Sequence, residues 1–317
     1  MTRNAPDTNG TRPEATAGFR NVVRIYQAAS GEVHALRGVD VDFPRGSVTA
    51  IAGPSGGGKS TLLSILALRD RASAGAVTLF GDDVTRARGS ALKALRRTGI
   101  AWVPQRPSHG LLPHLSARDN LVQIARIRGR REGWTPDEAL DLLGLTPRAA
   151  GRPGQLSGGE QQRLAVAAAL MHAPPLVVAD EPTAELDDPN ADRVIEAFMA
   201  VAEQGTTCVL STHDSRALRH LPRVLHLRQG VLSAERSGTG QRASGQIRTA
   251  EAVIDSAGRL QLPPEALLLF PGRRAAVRIE GGAVILDPPG PSDSLAPAPS
   301  NGLAEPTPTD LPEVPRD

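Results

Sequence analysis

Residues 53–61 read GPSGGGKST. The spacing G-x-x-x-x-G-K-[ST] makes a loop whose backbone amides wrap phosphates, provided that it lies between a strand and a helix. Both flanks are present. SVTAIAG (47–53) is a short apolar run that reads as a buried strand, and STLLSILALRD (60–70) has the spacing of a helix. Gly53, Pro54, Ser55, Gly56, Gly57 and Gly58 make the turn, and Thr61 completes the motif. The amides of residues 54–60 then face the phosphates. Lys59 brings a compact charge to the terminal oxygens, and the Ser60 hydroxyl can bind Mg2+. The chain has only two lysines, Lys59 and Lys93, among 36 basic residues. A lysine kept here points to a task that arginine does not do.

Further along, PLVVADEPT (175–183) is a continuous apolar strand ending in two carboxylates. Beside a phosphate loop, Asp180 is placed to hold Mg2+ and Glu181 to orient or deprotonate an attacking water. TTCVLSTHD (206–214) is a similar strand ending at His213. GVDVDF (38–43) alternates as a half-buried strand does, and AVTLFGDDV (76–84) reads as a strand and turn. Residues 106–165 are richer in helical patterns, with Ser116 and Asp119 forming a cap before NLVQIARI. Strands alternating with helices, with polar residues at their C-terminal ends, describe a mostly parallel α/β sheet with its site along that edge.

LSGGEQQR (156–163) raises a second possibility for anions. Ser157 is a good N-cap, Glu160 completes a capping box, and Gly158 and Gly159 leave the first amides uncovered. One chain thus carries two phosphate-seeking helix starts.

These motifs, in this order, resemble the ATP-binding subunits of ABC (ATP-binding cassette) transporters over residues 19–232. The resemblance implies an α/β P-loop NTPase cassette with a RecA-like core, an antiparallel β subdomain and a helical subdomain. Within the family, GEVHALRGVDVDFPRGSV followed by IAGPSGGGKSTLL is most similar to the lipoprotein-release and macrolide-efflux group. The cofactors implied are ATP and Mg2+. Tyr26 resembles the aromatic platform that stacks on adenine, and Gln105 in WVPQRP the glutamine that touches Mg2+ and water. His213 matches the histidine that reaches the γ-phosphate, and Glu185-Leu186-Asp187 the loop after the second carboxylate. In the family two cassettes meet head to tail, so that Ser157 and Gly159 close over the phosphate held by the other copy. The implied partners are a second copy and a separately encoded transmembrane permease.

Composition narrows the rest. The 317 residues suffice for one large domain and a smaller one, and a net charge of +2 gives no ground to expect nucleic acid. A single cysteine excludes an internal disulfide. No apolar run approaches a membrane span, and MTRNAPDTNGTRPEATAG has no apolar core of a signal peptide. The expected place is the cytoplasm, peripheral on the inner face of the cell membrane. Residues 1–17 and the tail 288–317, with its nine prolines, are expected to be disordered, and 233–247 to be a linker. Between them, 248–287 reads as a small β-rich unit of two hairpins around one helical turn. IDSAGRLQLPPEAL followed by VRIEGGAVIL resembles the swapped-hairpin domains of bacterial transition-state regulators. Its five arginines are matched by five acids. That favours a dimerisation or regulatory role over DNA, because DNA needs a clustered basic face. Two rivals remain: an ATPase that regulates a DNA-binding C-terminal unit, and a translation or repair cassette. The latter usually carries two cassettes or a long coiled coil, and neither is present.

Overall fold

The computed structural model describes residues 14–29, 31–128, 134–214 and 216–237, with parts of 251–287. The expected tail 288–317, residues 1–13 and most of the expected linker lie outside the described residues. Two units are present, residues 1–261 and 262–317.

The first unit begins with β1 (Ala15–Ala28), β2 (Gly31–Pro44), β3 (Val48–Ala52) and α1 (Lys59–Leu66). There follow β4 (Ala74–Leu79), β5 (Asp82–Asp83), α2 (Gly89–Ala94), β6 (Ile100–Val103), α3 (Ala117–Arg128) and α4 (Pro136–Leu142). Then come α5 (Gly158–Leu170), β7 (Leu176–Ala179), α6 (Asp188–Glu203), β8 (Thr207–Ser211) and α7 (Ala217–His220). β9 (Arg223–Arg228), β10 (Val231–Ser237) and β11 (Glu251–Ala252) complete it. The second unit holds α8 (Pro264–Leu267) and a hairpin of β12 (Ala276–Glu280) and β13 (Ala283–Asp287).

A seven-stranded sheet in the order β11-β10-β9-β3-β8-β7-β6 forms the centre, and a second, four-stranded antiparallel sheet, β2-β1-β4-β5, packs against it. From β9 to β6 the central strands pair in parallel. Strand alternation sorts their side chains between two cores. Val48, Ala50, Val177 and Ala179 join the cluster formed with α3, α4, α5 and α6. Ile51, Leu176 and Val178 join the one formed with α1 and the antiparallel sheet. Both faces of the parallel sheet are therefore covered, which is why its strands read as continuous apolar runs. The expected fold class holds.

Three boundaries differ from the sequence reading. β1 starts at Ala15, within the tail expected over 1–17, because Ala17 pairs with Phe43 and Thr16 shares a 2.7 Å hydrogen bond with Thr207. α1 stops at Leu66, since Leu68 adopts φ +55° and the chain turns back. β10 runs through 233–237, where the linker was expected to begin, because its backbone pairs with β9 as far as Ser237. β11 then adds to β10, so residues 251–252 belong to the sheet of the first unit. Among the described residues no helix is long and apolar enough to cross a membrane.

Candidate nucleotide site

Four of the expected site segments leave the C-terminal ends of neighbouring parallel strands: the glycine loop after β3, Gln105 after β6, the two carboxylates after β7 and His213 after β8. This edge is where α/β sheets bind ligands.

Three glycines of the loop, Gly53, Gly57 and Gly58, have no room for a side chain. Gly53 adopts φ +152°, and a Cβ there would come within 2.1 Å of the Leu227 carbonyl oxygen. Gly58, the N-cap of α1 at φ +101°, would place one 2.5 Å from the Ala35 carbonyl oxygen. α1 has no side-chain cap and no acidic residue in its first turn. Its first amides and the positive end of its dipole are thus left for an anion. Lys59 is 8% exposed, and its Nζ donates to the carbonyls of Gly53 and Pro54 at 2.8 and 3.1 Å. A buried ammonium held only by carbonyl oxygens beside open amides is a fitting host for phosphate.

The Ser60 hydroxyl lies 3.2 Å from Asp180 Oδ1, so two hard oxygen donors meet where the phosphate loop ends. This pair fits Mg2+, which keeps most of its ligands as water and phosphate oxygen and needs few from protein. Among the described residues no group of three or more His, Cys, Asp or Glu side chains is placed to hold a metal ion.

Ser211, which the sequence reading passed over, ties the two carboxylates together. Its hydroxyl donates to Asp180 Oδ1 at 2.6 Å and accepts from the Glu181 amide at 2.9 Å. It is fully buried at the end of β8. Its trace in the sequence is a hydroxyl that closes the strand two residues before His213. Glu181 itself stands at φ +50°, and its Oε2 lies 2.5 Å from His213 Nδ1. The structure therefore brings Lys59, Ser60, Asp180, Glu181 and His213 to one edge. Gln105 is exposed on the loop after β6, and no hydrogen bond joins it to Ser60 or Asp180 among the described residues. It lines a groove of about 720 Å³ with Arg69, Trp102, Ile124 and Ile127.

The second helix start has the expected capping box. The Ser157 hydroxyl accepts from the Glu160 amide at 3.2 Å, and Glu160 Oε2 accepts from the Ser157 amide at 2.9 Å. That amide, with Arg148 beside it, holds the Glu160 carboxyl below its usual range against a smaller opposing effect of burial. Gly158 and Gly159 pack on Glu185 and Leu186, with a built Cβ at 3.2 and 3.0 Å from their side chains. Asp187 caps α6, its Oδ1 accepting from the Asn190 amide at 3.2 Å. No hydrogen bond or ion pair joins residues 157–159 to residues 53–61 among the described residues.

Residues 36–184 match the family model described as ABC transporter. A lipoprotein-releasing system ATP-binding protein LolD from Ruegeria sp. is 43% identical over 224 residues, which span 69% of this chain and 98% of that protein. A macrolide export ATP-binding/permease protein MacB from Rhodopseudomonas palustris is 38% identical over 70% of this chain and 34% of its own. Among solved structures, a dimeric ATP-binding cassette in a post-hydrolysis state with ADP and Pi superposes with a TM-score of 0.64. It is 30% identical, covering 71% of this chain and all of that one.

Proposed function

This chain belongs to the ABC transporter ATP-binding family, and we propose that two copies meet head to tail to drive a separately encoded membrane permease. Its own part in the reaction is ATP hydrolysis. Lys59 moves its ammonium from the loop carbonyls to the terminal phosphate oxygens. Ser60 and Asp180 would hold Mg2+, which when bound offsets phosphate charge in the transition state. Glu181 Oε2 keeps His213, which leaves Oε1 to accept a proton from water or to aim it at the γ-phosphate. Tyr26 stacks on adenine. Gly159 and the Ser157 hydroxyl serve the γ-phosphate of the other copy, with Gly158 allowing the close approach. Asp187, by capping α6, supports the loop that faces the partner.

The observation that carries the dimer is the second helix start, an anion-seeking terminus with no bond to its own phosphate loop. The groove lined by Gln105, Trp102 and Ile127 faces the permease in this reading, so that Gln105 links the partner to the nucleotide edge. The protein then sits peripherally on the inner membrane face, serving release or export as its relatives are named to do. The C-terminal hairpin is read as a second dimer contact. Val277, Ile279 and Val284 are 63%, 77% and 67% exposed, and Ile279 pairs directly with Val284, putting them on one face. An isolated two-stranded hairpin is marginal in water, and a second copy supplies the missing cover.

Mixing two inactive variants tests the head-to-tail arrangement. Lys59→Ala spoils the phosphate loop and Ser157→Arg blocks the signature helix. In a mixed dimer both lesions fall in one composite site, so the other site is intact. In chains cut after residue 261, which lack the hairpin contact, mixing should restore ATP-dependent dimer that neither variant forms alone. No restoration at concentrations where the unmodified protein dimerises would show that residues 156–163 do not act across the dimer.

A further inference from the structure

Tyr26 is held from several sides, and two of its neighbours, Arg24 and Asp70, lie outside every nucleotide motif. Its hydroxyl donates to Asp70 Oδ2 at 2.6 Å and lies 3.5 Å from Thr61 Oγ1. The Arg24 guanidinium carbon stands 4.3 Å from the centre of the tyrosine ring, within the range of a cation–π contact. The same guanidinium forks onto Asp70, with Nε donating to Oδ2 at 3.0 Å and Nη2 meeting Oδ1 at 2.9 Å. The Arg71 amide adds a fourth donor, 2.7 Å from Oδ1. Burial pushes the Asp70 carboxyl up, but the Tyr26 hydroxyl, the Arg71 amide and Arg24 outweigh it and keep the group below its usual range. Asp70 is therefore an ionised hub for three neighbours.

The hub also binds this ring to the phosphate loop. Asp70 follows α1, and its amide donates to Ser64 of that helix at 3.1 Å. α1 begins at Lys59. The aromatic platform and the phosphate cradle are thus mounted on one helix, although Tyr26 and Asp70 are 44 residues apart in sequence.

We propose that Arg24 and Asp70 are positioning residues for adenine, which lock the Tyr26 ring at one angle before nucleotide arrives. The guanidinium covers one ring face and the base stacks on the other. A tyrosine free to rotate would lose that freedom on stacking, whereas a ring already pinned does not, so the lock raises affinity without touching the ligand. This rests on reading Tyr26 as the adenine platform. A simple brace for β1 would stabilise the fold without distinguishing a ligand that has a base from one that lacks it.

The test compares Mg-ADP, which has the base, with Mg-pyrophosphate, which does not, in equilibrium binding to the full chain. Asp70→Asn should weaken ADP about fivefold, the cost of reordering one ring, and leave pyrophosphate unchanged. KM for ATP should rise by the same factor while kcat at saturation holds. Arg24→Ala should act in the same direction, and Arg24→Lys, which keeps the charge but not the fork, should fall between. With Tyr26→Ala already in place, Asp70→Asn should have no further effect on ADP. Equal weakening of both ligands, or of neither, would overturn the positioning role. If Tyr26→Ala weakens ADP but Asp70→Asn does not, only that role is lost. If Tyr26→Ala leaves ADP binding intact, the platform reading fails and takes the proposal with it.

Discussion

Two helices of this protein begin at sites where phosphate is expected, and they begin in opposite ways. α1 starts from a left-handed glycine with no side-chain cap and no acid in its first turn. α5 starts from Ser157 with a closed capping box and puts Glu160 in that turn. At α1 the amides, the dipole and Lys59 all favour an anion. At α5 the carboxylate of Glu160 offsets the dipole, and its cap has already satisfied part of the terminus. In the proposed dimer the first terminus would bind phosphate by itself, and the second would add to a phosphate whose charge is met elsewhere, a division of labour suited to a shared site.

The comparison can be tested from both ends. The largest effect is expected at the water-facing carboxylate, where Glu181→Gln should lower turnover by about 10²-fold or more while sparing ATP binding. In a chain cut after residue 261, which lacks the hairpin contact, the variant should elute as a dimer with Mg-ATP and as a smaller species without it. A single size under both conditions would separate the chemistry from the shared site.

Next, Thr61→Glu places a carboxylate in α1 at the position that Glu160 holds in α5. ATP affinity should fall about tenfold or more, the scale of a like charge a few ångströms away in a half-buried site. Thr61→Gln should lose far less in the same titration. If the two variants are equal, charge at the helix start is not what separates α1 from α5.

A smaller effect is expected from Glu160→Gln. Glutamine keeps the capping geometry, so the loss should be about 0.5–1 kcal/mol at neutral pH, read from urea unfolding. Because the folded Glu160 carboxyl is held low, its stabilisation is present above the usual glutamate range and disappears as pH falls through the lowered value. The difference between glutamate and glutamine should therefore be constant near neutrality and vanish in strong acid.

Removing residues 262–317 should change ATP hydrolysis least of all. Every nucleotide motif lies in the first unit, and the cut falls after the β11 strand that closes its sheet. Self-association without ATP, measured by sedimentation, should be lost with the hairpin. Equal apo sizes with and without it would remove the second dimer contact.

The sequence made the phosphate loop, the two carboxylates, His213 and the capping box legible, because each is a local pattern in which neighbours in sequence are neighbours in space. Ser211 was not legible as a tie between the carboxylates, since its bond to Asp180 joins the end of β8 to the residue after β7, 31 positions away. Arg24 and Asp70 are separated by 46 residues, and nothing local marks either as a support for Tyr26. The early start of β1 was hidden for the same reason: Thr16 is satisfied by Thr207, 191 residues away. Polarity there looked like a tail, and only pairing across the fold reveals an edge. The split of β3 and β7 between two cores was readable only as apolarity, because a run buried on both faces shows no alternation.

The backbone at Glu181 has a consequence for how this chain can vary. A residue with a long, charged side chain stands in the left-handed region, at φ +50°, where glycine or asparagine sits with less strain. Such a conformation costs on the order of 1–3 kcal/mol and persists because the Ser211 hydroxyl holds the amide and His213 holds the side chain. Substitutions that relax this turn would make a sturdier protein and a poorer ATPase. Selection for thermal endurance alone would drift toward them, so a heat-hardened library of this chain should be screened for turnover at every round.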